Sequence, residues 1–342
     1  MITRRHLLQA AVAALPASSL IAAKPNSKFG GVQIGTITYS FRTLPGKADE
    51  LLKYCTELGI SSVELMSDPA EAFAGMPGVR LGGFGGFGPP PGGPGGRPPG
   101  APGGPGGPGP GGPGPGGRRQ LTPEQQEAMR KAAEDRKAWR TSASMDKFKE
   151  LRALYNNAGV SIDVFKLPLT EAMSDDEFEY VFTVAKTLGA KSITMELPTS
   201  EPLLKRIGQF ADKHKVFVGY HNHMQVNPTS WDAALAISKY NSINLDAGHF
   251  TEAISASPIP FIKKMHGRIS SMHLKDKKYG TEGGGNLPWG TGQVPIKEVL
   301  QLMKKEKYSW PANIELEYNI PGESNVMAEM ANCLKFAKDA LA

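Results

Sequence analysis

Eight short runs of β-branched and apolar residues recur along this chain, and their spacing is what most constrains its fold. The runs fall at 33–40, 61–65, 160–165, 192–196, 216–221, 243–246, 269–274 and 312–318. Between them lie segments long enough for a helix and its loops, and 47–58, 175–188, 201–214 and 230–239 carry helical spacing. Glycine stands at several helix-to-strand joints (Gly59, Gly159, Gly189), where a left-handed residue closes a helix. Strands that alternate with helices belong to a parallel sheet. Eight such units predict an α/β fold of the (β/α)8 TIM barrel type. An open doubly wound sheet would need a glycine-rich phosphate turn after its first strand, and Ile37-Thr38-Tyr39-Ser40-Phe41 is not one.

Polar, metal-capable side chains stand at the ends of these runs. They are Glu196, His221 and His223, Asp246 and His249, His273, and Glu315 with Glu317. In a parallel barrel all strand ends point at one face, so residues distant in sequence converge there. Carboxylates, an Asp and a His at such ends form a divalent metal site, which makes an enzyme the leading expectation.

The ends and inserts are read separately. Residues 1–23 pair Arg4 and Arg5 with a modest apolar run that closes on small residues, the pattern of a twin-arginine signal peptide. The expectation is therefore a periplasmic or secreted protein with no membrane segment after signal removal. Residues 24–342 form the barrel domain, interrupted at 81–117 by a tract of almost pure Gly and Pro. Such a tract buries too little to offset its ordering entropy and is expected to be disordered. After it, Thr122-Pro123-Glu124-Gln125 reads as a helix start, opening one long helix toward Asn157. The net charge of +6 forms no basic stripe with interleaved aromatics, so nucleic acid is not an expected partner. Cys55 and Cys333 are too few for a disulfide framework.

The motifs VELM (63–66), YHNH (220–223), LDAGH (245–249), HLKD (273–276) and IELEY (314–318) resemble those of the xylose isomerase-like superfamily of sugar isomerases and epimerases. The resemblance covers nearly all of 24–342 outside the Gly/Pro tract. It implies one divalent ion (Mn²⁺, Co²⁺ or Mg²⁺) held by Glu, Asp, His and Glu, with Asp246, His273 and Glu315 in the last three places; strand alternation puts Glu317 on the same face as Glu315, as a substitute for it. The first place is open between Glu196, which is preferred, and His221, because this chain reads His-Asn-His where relatives have Glu-Asn-His. The resemblance further implies catalytic roles for His221, Glu315 and Glu196. Carbohydrate contacts fall to His223, His249, Lys275, Glu64 and Glu317.

The implied chemistry is isomerisation or epimerisation of a small carbohydrate, by removal of a proton next to a carbonyl with the ion stabilising the enediolate. A histidine in place of the first glutamate leaves room for keto-sugar dehydration or β-elimination, or for a barrel that binds carbohydrate without catalysis. The chain alone leaves the sugar and the oligomeric state open.

Overall fold

The computed structural model describes residues 24–79 and 122–342. The expected signal at 1–23 and the Gly/Pro tract at 81–117 lie outside the described residues.

Eight strands form the barrel: β1 (Val32–Ile37), β2 (Ser62–Met66), β3 (Ser161–Lys166), β4 (Ser192–Glu196), β5 (Phe217–His221), β6 (Asn241–Asp246), β7 (Ile269–Leu274) and β8 (Ala312–Ile314). Each pairs in parallel with the next, and β8 pairs with β1 to close the ring. Lys28–Phe29 adds a short antiparallel strand to β1. The expected (β/α)8 barrel is thus the observed fold.

Two boundaries shift for a physical reason. The first run ends at Ile37 and continues as a 3-10 turn over Thr38–Phe41. The eighth strand stops at Ile314 because a side chain replaces its neighbour: Ser40 Oγ donates to Ile314 O (3.1 Å) and accepts from Leu316 N (3.0 Å). The single helix expected after position 122 is two, Pro123–Ser142 and Asp146–Asn157, broken where Ala143 turns to extended backbone. Gly59 and Gly189 end their helices at φ 78° and 83°, as their places at the joints require.

Strand alternation sends one set of side chains to the helices and the other to the barrel axis. Val63, Leu65, Ile193, Val218, Ile243, Leu245, Met272 and Ile314 are fully buried in the apolar layer beneath the helices. The axial set is polar and cross-linked. Ser62 Oγ donates to Asp163 Oδ2 (2.6 Å), Thr194 Oγ1 to Glu64 Oε1 (2.6 Å), and Asn313 Nδ2 to Glu64 Oε2 (3.1 Å). Gly35 belongs in this layer because a Cβ there would lie 2.3 Å from Asn313 Oδ1. Cys55 and Cys333 are free and buried. Among the described residues no helix is long and apolar enough to cross a membrane.

The helix Pro123–Ser142 is tied to the rest of the fold by a buried ion cluster around Arg140. Arg140 donates to Glu71 through Nε (2.8 Å) and Nη2 (3.2 Å), Tyr180 Oη donates to the same carboxylate (3.1 Å), and Glu177 lies 3.8 Å away. Removing the guanidinium strands a buried carboxylate, which typically costs about 3–5 kcal/mol. Arg140→Ala should therefore lower unfolding stability by that order in denaturant titration. A loss below about 1 kcal/mol, the scale of an exposed pair, would show that the helix is not held this way.

Candidate functional site

The strand ends bring His221, Asp246, His273 and Glu315 together, with ligand atoms from all four within 4.8 Å of one another and all four buried. Register explains the meeting: Asp246 lies opposite His273 across β6 and β7, and Glu315 follows β8, whose Asn313 is paired with His273.

His273 is the most constrained member. Its Nε2 is 2.8 Å from Glu64 Oε2 and its Nδ1 is 2.8 Å from Glu315 Oε2. Carboxylates only accept, so both ring nitrogens donate and the ring is an imidazolium. Burial alone would depress its pKa, but the two carboxylates outweigh that and push it up to about 10. Burial also opposes ionisation of Glu64 and Glu315. The His273 cation holds Glu64 below the usual carboxylate range, and Lys275 with His273 holds Glu315 well below it.

His221 is the opposite case. Its Nδ1 is 2.7 Å from Asn244 Oδ1, and Asn244 Nδ2 donates to Ser271 Oγ (2.6 Å), which fixes the amide's direction. An amide oxygen accepts, so Nδ1 carries the proton and the Nε2 lone pair is free, 3.9 Å from Asp246 Oδ2. Burial, followed by the Lys166 and His273 cations, drives its pKa well below the ordinary histidine value. A neutral imidazole oriented through its other nitrogen is the form that binds metals.

Asp246 caps the helix Ala247–Ile254, accepting from His249 N at Oδ1 (2.7 Å). Asn222 holds its backbone from both sides (2.9 and 3.2 Å). Its Oδ2 is fully buried and has no hydrogen bond; Lys275 Nζ lies 3.0 Å away but outside hydrogen-bond alignment. Lys275 Nζ also reaches Glu315 Oε2 (2.8 Å), Glu317 Oε2 (2.5 Å) and His249 Nε2 (3.1 Å). Burial works against this ammonium, yet Asp246, Glu315 and Glu317 raise its pKa. His249, between Lys275 and Lys277, is pushed down to about 3 by burial first and then by those cations. The donor set fits a divalent cation: two imidazoles and two carboxylates, with the orphaned buried oxygen of Asp246 among them.

Glu196 is placed elsewhere. It stands half-exposed at the mouth, with Oε2 3.2 Å from His223 Nε2 and Oε1 3.3 Å from Lys166 Nζ. The geometry thus brings His221, and not the preferred Glu196, to the other three candidate ligands; Glu196 groups instead with His221 and His223. Burial opposes the Glu196 charge, but the His223 hydrogen bond and Lys166 keep its carboxyl well below the usual range. His223 in turn is raised, first by its hydrogen bond to Glu196. Glu64 and Glu317 touch His273 and Lys275, and Asp276 accepts from the N–H groups of Lys277, Gly290, Gly292 and Val294 to shape the adjoining loop.

Sequence reasoning passed over Lys166, Asn244 and Asn313. Alternation carried a signal for Asn244, which shares a face with Asp246 two residues on. Nothing local shows that Lys166 meets Glu196, a partner 30 residues away.

Metal affinity separates the two glutamate and histidine roles. Ligand imidazoles must be neutral, so a cation entering this cluster should expel the His273 proton, about one per ion at pH 7. Calorimetric titration of Mn²⁺ or Co²⁺ in buffers of different ionisation enthalpy reads this number. Because the His273 value is about 10, affinity should still climb with pH between 7 and 9. His221→Ala should weaken binding by about 100-fold or more, and Glu196→Gln by no more than a few fold. Binding without proton release, or loss in Glu196→Gln alone, contradicts the placement.

Comparison with known proteins agrees with this architecture. A profile of the xylose isomerase-like TIM barrel family matches residues 120–336. No curated protein matches the chain. Among solved structures, the probable 3-DHS dehydratase AsbF of Bacillus anthracis is similar at TM-score 0.55 and 13% identity, covering 87% of this chain and 97% of its own. The 3-keto-D-glucoside 4-epimerase YcjR of E. coli is similar at 0.54 and 11%, covering 90% and 99%. A sugar phosphate isomerase/epimerase of Parabacteroides distasonis is similar at 0.53 and 13%, covering 93% and 97%. At these identities the likeness is one of fold. With well over half of its length matched by the family profile, the chain belongs to the xylose isomerase-like TIM barrel family.

Proposed function

We propose that this protein is a divalent-metal-dependent carbohydrate isomerase or epimerase that moves a proton on the carbon next to a carbonyl. The observation that carries the reading is the separation between a buried four-donor cluster and a half-exposed acid–base pair at the barrel mouth. His221, Asp246, His273 and Glu315 would hold the ion. When bound, it would supply Lewis-acid stabilisation of the negative charge that develops on the carbonyl and its neighbouring hydroxyl.

The remaining work falls to the chain's own groups. Glu196, kept ionised by His223 and Lys166, is placed to accept the proton from carbon. His223, whose protonated form Glu196 favours, would return a proton to oxygen or to a neighbouring carbon. Lys275, buried among Asp246, Glu315 and Glu317, fixes the orientation of these carboxylates. Ring contacts of 4.7 Å between His221 and His273 and 4.8 Å between His223 and His249 pack the histidines into one wall.

A keto-sugar dehydratase or lyase is the second reading. Two-base epimerisation calls for carboxylates on both faces of the substrate. Here the half-exposed base comes paired with a histidine whose proton affinity is raised, a donor that suits departure of a hydroxyl or alkoxide. Similar folds bearing the names of an epimerase and a dehydratase support the view that one frame serves both outcomes.

Solvent deuterium entry at the carbon next to the carbonyl, followed by NMR for ketoses and 3-keto-glycosides, tests the proposal. Exchange should require added Mn²⁺ or Co²⁺ and stop with chelator. His223→Gln should slow it by about 10²- to 10⁴-fold. The sign of the pH effect follows from the raised His223 value: the acid form is present below that value and lost above it, so the rate should fall on the alkaline side in the native protein and lose that limb in the variant. Full turnover in metal-free protein would refute the reading, and carbohydrate binding with no exchange would leave a non-catalytic barrel.

A further inference from the structure

A cavity of about 530 Å³ opens beside this centre, between the ends of β2 and β3 and the helix Pro123–Ser142. Much of its wall is apolar, from Met66, Leu167, Pro168 and Ala172 on the barrel side and Ala133 on the helix. Lys166 belongs to both places. It lines the cavity, and its Nζ lies 3.3 Å from Glu196 Oε1 at the mouth of the centre. Neither the buried cluster nor the Glu196–His223 pair occupies this space.

We propose that the cavity is a subsite for an uncharged ring attached to the reacting sugar, so that the substrate is a glycoside and not a free monosaccharide. This rests on the carbohydrate reading above and names its substrate class. Two observations carry it, and charge then selects the substituent. The volume falls in the range of pockets that enclose small organic ligands, well beyond what a few waters need. The cavity shares Lys166 with the Glu196–His223 pair, which puts it next to the mouth where a substituent on the sugar would lie.

Charge decides what kind of substituent fits. Three cations of the lining are already engaged: Arg140 with Glu71 and Glu177, Arg130 with Glu127 and Glu134, and Lys166 with Glu196. The other two, Arg136 and Lys137, stand exposed on the helix, where an ion contact is weak. Asp68 also lines the cavity, its carboxyl raised by burial and by Glu71 against the opposing Arg136 and Arg140. A phosphate would meet no buried unpaired cation. An apolar or sugar ring meets methionine, leucine, proline and alanine surfaces. The helix wall is held in place by the Arg140–Glu71 pair, so the cavity is a built part of the fold.

Equilibrium binding to the full-length chain with Mn²⁺ present tests the proposal, with 3-keto-D-glucose and its 4-nitrophenyl β-glycoside as probes. The glycoside should bind about 10- to 100-fold more tightly, the gain expected from burying one ring. Ala133→Trp and Ala172→Trp, both at exposed positions, fill the cavity from opposite walls. Each should bring the glycoside down to the affinity of the monosaccharide, leaving monosaccharide binding and metal content unchanged. Inorganic phosphate at millimolar concentration should not compete. Equal affinities in the native protein, equal weakening of both probes by the tryptophans, or displacement by phosphate overturns the subsite. Binding of neither probe overturns the carbohydrate reading together with it, so the two failures are distinct.

Discussion

The structure depends on one buried arrangement of charge, the His273 imidazolium clamped between Glu64 and Glu315. Taking such groups out of water costs several kcal/mol each, and only mutual pairing with full hydrogen bonding offsets it. The barrel provides that pairing from strands far apart in sequence: β2 gives Glu64, β7 gives His273, and the chain after β8 gives Glu315. Thr194 and Asn313 complete the hydrogen bonds of Glu64, and the absence of a side chain at Gly35 makes room for Asn313. A polar axis of this kind is an unusual use of a barrel interior, which is more often filled by branched apolar side chains. It holds together because the apolar surface is gathered on the other face of the same strands, under the helices.

From that clamp the site divides into a deep part and a rim. In the deep part burial leaves His221 neutral with a free lone pair and Asp246 Oδ2 without a hydrogen bond, while charge pairing overrides burial at His273, Glu315 and Lys275. At the rim, solvent and direct pairing prevail, so Glu196 stays ionised and His223 takes up a proton more readily. Groups whose environments push their proton affinities apart are the ones suited to acid and base roles. The deep part has the donors for a cation, and the rim has the groups for proton transfer.

Much of this was legible in the sequence because it is local or periodic. The fourth and seventh strands fall where their apolar runs fall, and the helices at 175–188 and 201–214 begin and end at their capping residues. The convergence of Glu64, His221, Asp246, His273 and Glu315 follows from strand ends sharing one face. The end of β8 was not legible, because it is set by the Ser40 hydroxyl from 276 residues away. Nor was the choice between Glu196 and His221. Both close adjacent strands and lie opposite each other in register. Which of them reaches the axis depends on strand tilt around the ring, a property of barrel closure and not of local sequence.

The central claim is that closure of the ring builds one cation site from two imidazoles and two carboxylates. X-ray absorption at the cobalt edge of Co²⁺-loaded protein tests it most directly, because imidazole rings leave a distinct multiple-scattering signature. The account predicts one ion per chain with two histidine nitrogens in its shell, falling to one in His221→Ala. A shell with a single imidazole in the native protein, unchanged by His221→Ala and altered by Glu196→Gln, would contradict it.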